Sequence, residues 1–123
     1  MIHLDTNFII GAAKKGGLAG MIRQWLLDGE IFATSAISWS EFLSGPVTPL
    51  QIRHANYLME GRIVPFDATE AAKAAELFNR AGRKRTTRFD CFIAATAICA
   101  GASLATENRK DFLPFVPSGL RLS

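Results

Sequence analysis

Met1-Ile2-His3-Leu4-Asp5-Thr6-Asn7-Phe8-Ile9-Ile10 (MIHLDTNFII) is an apolar run broken in its middle by an acid, a hydroxyl and an amide. Residues 2–4 read as a short buried strand, and a helical stretch from about Asn7 to Lys15 follows until Gly16 and Gly17 break it. Asp5 is thereby left at the carboxyl end of the strand. It either starts the helix or forms one corner of a charged site.

The same alternation continues outward from this stretch. Residues 18–29 place Leu18, Met21, Ile22, Trp25 and Leu26 at helical spacing, closed by Gly29. EIFATS (30–35) reads as a second strand, ISWSEFLSG (37–45) as a short helix stopped by Gly45-Pro46, and LQIRHANYLMEG (50–61) as a further helix. RIVPF (62–66) is a third strand, and Asp67 with Glu70 opens a helix over ATEAAKAAELFNRAG. FDCFIAATAICAGA (89–102) is an almost wholly apolar helix and is expected to be buried, while SLAT (103–106) and LRLS (120–123) are short strands. Strands alternating with helices predict a three-layer α/β fold with a mainly parallel sheet. In such folds ligands bind outside the carboxyl ends of the strands, which is where Asp5 stands.

The chain has 123 residues and no repeat or linker, so it reads as one domain over 1–123. Apolar residues make up 49% of it, and a domain of this size has little interior in which to hide them, so a partner or a second copy is expected to cover part. The apolar faces 21–26 and 57–59 are the candidates, with ordinary core as the alternative. No run approaches the roughly 18–20 apolar residues of a membrane span, and there is no leader-like start, so no membrane contact and a cytoplasmic location are expected. Cys91 and Cys99 lack a second Cys or His pair and read as buried thiols. His3 and His54 have no Ser or Cys partner and read as structural or surface residues.

The net charge of +3 is unevenly placed, with five cations and no acid in RAGRKRTTR (80–88). Arg80, Arg83, Lys84, Arg85 and Arg88 are therefore candidates for phosphate contacts, against the alternative of a solvated loop. Arg53, Arg62 and Arg109 are candidates to extend that surface.

Several acids have a purely structural alternative. Asp5 suits a helix cap, Ser38-x-x-Glu41 fits a capping box, and Thr87-x-x-Asp90 resembles one. Asp67-x-x-Glu70 reads as structural. Asp5, Glu41 and Asp90, in contrast, are flanked by apolar residues that pull the backbone inward. Two carboxylates about 4 Å apart repel by roughly 4 kcal/mol at an effective dielectric of 20. If these acids converge, a multivalent cation compensates them, and an oxygen-only donor set selects Mg²⁺ or Mn²⁺ over Zn²⁺.

Four segments together resemble a PIN domain of the VapC toxin type: MIHLDTN (1–7), SWSEFLSG (38–45), FDCFIAATA (89–97) and LATENRKDF (104–112). The resemblance covers essentially the whole chain. It implies a five-stranded parallel sheet between helices, with an acidic pocket at the carboxyl edge formed by Asp5, Glu41, Asp90 and a fourth acid. Asn108 stands where many relatives have that acid, and Asp111 is the only aspartate of the segment, so either Asp111 completes the pocket with Asn108 beside it, which is the expectation, or Asn108 supplies a neutral oxygen and the pocket carries one charge less. Thr6 and Thr106 are expected to support it.

The resemblance further implies a Mg²⁺-dependent (or Mn²⁺-dependent) endoribonuclease toxin. Asp5 and Asp90 would hold the ion directly, and Glu41 and Asp111 through water or on a second ion. Products would carry 5′-phosphate and 3′-hydroxyl ends, and a cognate antitoxin and a homodimer are the expected partners. The alternative is a weak or inactive PIN-like module that binds RNA or a partner. A phosphate loop at Gly11-x4-Gly16 fails, because Gly17 and Leu18 replace the needed Lys and Ser/Thr.

Overall fold

Ile2, His3 and Leu4 are all buried, as are all four residues of the second strand, which is the pattern of a parallel sheet covered on both faces rather than the alternation of a half-exposed one. The computed structural model describes residues 1–14 and 19–123. The break expected at Lys15–Gly17 and the helix start expected at Leu18 lie outside the described residues.

The elements in chain order are β1 (Ile2–Leu4), α1 (Thr6–Ala13), α2 (Ala19–Leu27), β2 (Phe32–Ser35), α3 (Ala36–Ser44), α4 (Pro49–Met59), β3 (Ile63–Val64), α5 (Ala68–Arg80), α6 (Arg88–Cys99), β4 (Ser103–Ala105) and α7 (Arg109–Phe112). A 3-10 turn precedes α6 at Arg85–Thr87, and another follows α7 at Leu113–Ser118. The strands pair in parallel in the order β3-β2-β1-β4, with His3 opposite Ala33 on one side and Leu104 on the other. The chain therefore runs from β1 outward to β2 and β3 on one side and then crosses back over the sheet to place β4 on the other side of β1. This opens a crevice at the carboxyl end of β1.

The sheet has four strands instead of the expected five. The final segment makes one isolated parallel bridge, Leu122 to Leu104. The 3-10 turn at Leu113–Ser118 and the buried Leu120 draw this segment into the core before it meets β4.

Two cores lie against the sheet. Leu4, Phe8, Ile9, Phe32, Phe42 and Met59 gather on one side, from β1, β2, α1, α3 and α4. Ala74, Leu77, Ile93, Ala94, Leu104 and Phe115 gather on the other, from α5, α6, β4 and the C-terminal turn. As expected, α6 is buried along most of its length, from Cys91 and Ile93 to Ala97. No helix among the described residues is long and apolar enough to cross a membrane.

Two readings of the sequence are corrected, those of Cys99 and Met59, while His3 and His54 fall as expected, one structural and one at the surface. Cys91 is buried but Cys99 is exposed, because eight residues of helix turn a side chain by about 80° away from its starting face. Met59 belongs to the core and is fully buried, while Tyr57, on the same helix, is 86% exposed. His3 is buried, with neither ring nitrogen hydrogen-bonded among the described residues, and burial pushes it down to about 4, so it is neutral at ordinary pH. His54 is exposed.

Candidate active site

Asp5 leaves β1 in extended conformation and caps α1, accepting the Thr6 N–H on Oδ1 at 2.8 Å. Its own N–H donates to the Ala105 carbonyl at 2.9 Å, which ties the end of β1 to the end of β4. Thr34 Oγ1 on the other neighbouring strand donates to the Leu4 carbonyl at 2.7 Å. The second carboxylate oxygen, Oδ2, accepts from Thr106 Oγ1 at 2.8 Å, and Thr106 Oγ1 in turn accepts the Asn108 N–H at 3.0 Å. Asp5 is only 5% exposed. Thr6 lies beside it, and its hydroxyl is buried with no partner among the described residues.

The other acids reach this crevice from separate elements. Glu41 sits within α3 with its side chain largely exposed. The capping box Ser38–Glu41 does not form. Ser35 caps α3 instead, its Oγ accepting the Ser38 N–H at 3.0 Å, so Glu41 has no capping duty. Asp90 occupies the first turn of α6 and is half-buried. Its supposed box partner Thr87 donates its hydroxyl to the Lys84 carbonyl at 2.7 Å. Asp67 and Glu70 do form the structural pair expected of them, with Glu70 Oε1 accepting the Asp67 N–H at 2.9 Å. Asp111 lies exposed in α7, which Asn108 precedes.

The acids feel one another. Burial, then the charges of Asp5, Asp111 and Glu41, push the Asp90 carboxyl up to about 6. Asp5 is raised by burial and by Asp111, against the lowering effect of its two hydrogen bonds. Partial desolvation and the Asp5 charge raise Glu41. Four carboxyl groups remote in sequence thus share one field.

No three His, Cys, Asp or Glu side chains among the described residues are gathered tightly enough to chelate an ion as they stand. The donor chemistry nevertheless fits a hard divalent cation, since every group is an oxygen and their mutual repulsion is relieved by positive charge.

The basic stretch runs directly into this site. Arg80, Arg83, Lys84, Arg85 and Arg88 are all exposed. Arg80 pairs with Glu76 at 3.2 Å, and the Arg83 guanidinium bonds Asn79 at 2.9 Å. Arg88 lies over the Phe78 ring at 4.5 Å. Lys84 and Arg85 have no side-chain ion pair among the described residues. Arg53 is exposed on α4. Arg62 and Arg109 are otherwise engaged, Arg62 bonding the Phe32 carbonyl at 2.8 Å and Arg109 the Ser123 carbonyl at 2.6 Å.

Phe89 is the residue that sequence reasoning misjudged. It had been grouped with the apolar residues that pull Asp90 inward, yet it is 62% exposed. The sequence signal lies in its place at the first turn of α6, one position before the acid and one after a cation. Elsewhere, an apolar groove of about 630 Å³ lies between α2 and α4, walled by Ala12, Ile22, Leu26, Tyr57 and Leu58.

Comparison with known proteins agrees with this architecture. The family model described as PIN domain matches residues 2–113. No curated protein sequence is similar enough to count as a match. Among solved structures, FitAB bound to the IR36 DNA fragment superposes with a TM-score of 0.71 at 26% identity, covering 100% of this chain and 94% of that one. FitAcB from Neisseria gonorrhoeae gives a TM-score of 0.71 at 26% identity, covering 99% and 96%. VapBC2 from Rickettsia felis, bound to a DNA fragment from its promoter, gives 0.70 at 23% identity, covering 100% and 98%. At that last identity the likeness is one of fold.

Proposed function

This chain belongs to the PIN domain family, and from that premise we propose that it is a divalent-metal-dependent endoribonuclease, the toxin of a toxin–antitoxin pair. The observation that carries the reading is the shared field of Asp5, Glu41, Asp90 and Asp111 at the carboxyl end of β1. The resemblance of the four motif segments to VapC-type PIN domains, together with the PIN domain match, supports the toxin assignment.

Asp5 and Asp90 would hold Mg²⁺ or Mn²⁺ directly, with Glu41 and Asp111 acting through water or on a second ion. When bound, such an ion acidifies a water and offsets charge on the phosphoryl and leaving oxygens. Asp5 is pre-aimed for this work, since Thr6 N–H and Thr106 Oγ1 each hold one of its oxygens. Asn108 acts one step back, orienting Thr106 through its backbone N–H. Asp111 shares the field of Asp5 and Asp90, so it serves as the fourth acid. Lys84, Arg85 and their neighbours hold RNA phosphates beside an otherwise repulsive pocket.

The groove between α2 and α4, with Met21, Leu26 and Tyr57 exposed around it, suits the apolar contacts of an antitoxin or a second copy. A cytoplasmic RNA substrate accords with these partners. The test is incubation of the purified protein with total RNA in Mg²⁺, in Mn²⁺ and in EDTA, mapping any cut ends. Metal-dependent cuts bearing 5′-phosphates are expected. RNA binding without cuts in either metal contradicts the reading and leaves an inactive binding module.

A further inference from the structure

Phe89 is an apolar ring held in water at the rim of the carboxylate site. It forms one wall of a trough of about 460 Å³ whose other walls include Ile37, Ser40, Glu41 and Ser44. A trough of this volume falls within the range of ligand pockets, roughly 300–1,000 Å³. The ring is not loose. It stands nearly perpendicular to Phe92, with centroids 6.0 Å apart and planes at 88°, and Phe92 in turn packs on Phe66 at 5.0 Å. The aromatic row braces Phe89 while leaving most of it uncovered.

Its surroundings limit the occupant. Arg88, Phe89 and Asp90 are consecutive on a helix, so about 100° separates each side chain from the next. One turn of α6 therefore sends a cation over Phe78, an aromatic ring into the trough, and a carboxyl into the field shared with Asp5, Glu41 and Asp111. Glu41 belongs to both the trough and that field, which joins the two. Just before α6 stand Lys84 and Arg85, exposed and without an ion-pair partner among the described residues. Cations that follow a phosphate backbone, leading to an exposed ring that offers a π-face, are the two ingredients of single-stranded nucleic acid binding. A neutral or basic peptide would gain nothing from the cationic approach.

We propose that Phe89 is the stacking platform for an unpaired nucleobase of single-stranded RNA, positioning the adjoining phosphate at the carboxylates. The inference rests on the ribonuclease reading and adds a base-binding subsite to it. Phe89 contributes by fixing the strand and takes no part in the bond changes. A stack of this kind tolerates any base, so the subsite supplies affinity and register with little sequence choice.

The experiment compares two probes of equal length, about 10 nucleotides, in EDTA so that neither is cut. One is a random-sequence single-stranded RNA pool and the other an abasic ribose-phosphate chain. Wild-type protein is expected to bind the RNA pool about tenfold or more tightly than the abasic chain, the size of one base-aromatic stack. Phe89→Ala should lose that preference while keeping its affinity for the abasic chain and its melting temperature, and Phe89→Trp should restore the preference. An undiminished preference in Phe89→Ala, or no preference in the wild type, overturns the proposal. So does loss of binding to a partner protein with RNA affinity unchanged, which would assign the ring to a protein contact. Cleavage of the same RNA pool in Mg²⁺ reports separately on the ribonuclease. Base preference without cleavage removes the enzyme and keeps the platform, and cleavage without base preference does the reverse.

Discussion

Asp5 and Asp67 each stand immediately before a helix, α1 and α5. Asp67 is exposed, and its backbone N–H is bound by Glu70 three residues on. Asp5 is buried, with one oxygen held by its neighbour Thr6 and the other by Thr106, which is 101 residues away in sequence. Asp5 is raised by burial and by Asp111, and its own charge raises Glu41 and Asp90. The same local role thus costs little at one helix and accumulates unfavourable charge at the other. Capping accounts for Asp67, and it accounts for only one of the two oxygens of Asp5.

The sharpest way to break this comparison is to neutralise one acid at each place. Asp90→Asn and Asp5→Asn should each lower metal-dependent RNA cleavage at least about 100-fold, since even groups that merely orient metal ligands are worth 10–100-fold. Asp67→Asn should leave it unchanged in the same assay. Asp111→Asn should fall between them and Asn108→Ala should cost less, because Asn108 acts through its backbone N–H. Equal losses at Asp5 and Asp67 would reduce Asp5 to a cap.

Stability should separate the two regions in the opposite sense. The Asp90 carboxyl keeps its proton up to about pH 6 in the folded chain, well above the ordinary aspartate value near 3.8. Between those values the native state binds more protons than the unfolded state, so metal-free stability falls as pH rises through the window. Ionised Asp90 then costs about 1–2 kcal/mol at neutral pH, after discounting for its partial exposure. Asp90→Asn should flatten that pH dependence and raise the metal-free melting temperature at neutral pH by about 4 °C. Asp5→Asn should bring no such gain. An amide keeps the Thr6 N–H on its oxygen but turns an NH2 toward Thr106 Oγ1, whose own hydrogen then loses its acceptor, so relief of repulsion is offset by an unsatisfied hydroxyl. Thermal unfolding in EDTA across pH checks both.

The basic stretch sharpens the comparison further. Lys84→Gln with Arg85→Gln should weaken RNA binding about tenfold and reduce the magnitude of the salt slope by about 1–1.5, at roughly 0.7 per phosphate on a single strand. Arg80→Gln should do less, because Glu76 already engages it. Titrations at several salt concentrations decide, and an unaltered slope would leave these residues facing only solvent. The smallest effect belongs to the true cap, where Asp67→Ala should cost about 1 kcal/mol of stability and no activity.

Much of this was legible from residue order because the relevant signals are local. A buried strand that stops at Asp5, an apolar helix that starts at Asp90, and helix-strand alternation all show within short windows. The fourth acid was legible only as a choice between Asn108 and Asp111, since which of them meets the field of Asp90 depends on how β4 leads into α7. The two capping boxes failed because Ser35 and Lys84, outside the four-residue pattern, competed for the same groups. The fifth strand shrank to one bridge because burial of Leu120 draws the segment into the core before it meets β4. Phe89 was missed because hydrophobicity predicts burial on average and says nothing of a ring braced at a rim.

The central claim is that a divalent ion relieves the repulsion centred on Asp5 and Asp90. It is tested most directly by thermal unfolding during a Mn²⁺ titration at neutral pH, with wild-type and Asp90→Asn proteins side by side. The melting temperature should climb with Mn²⁺ in the wild type, as binding to the native state requires, and rise much less in the variant. Equal curves for the two proteins, or a flat one for the wild type, would contradict it.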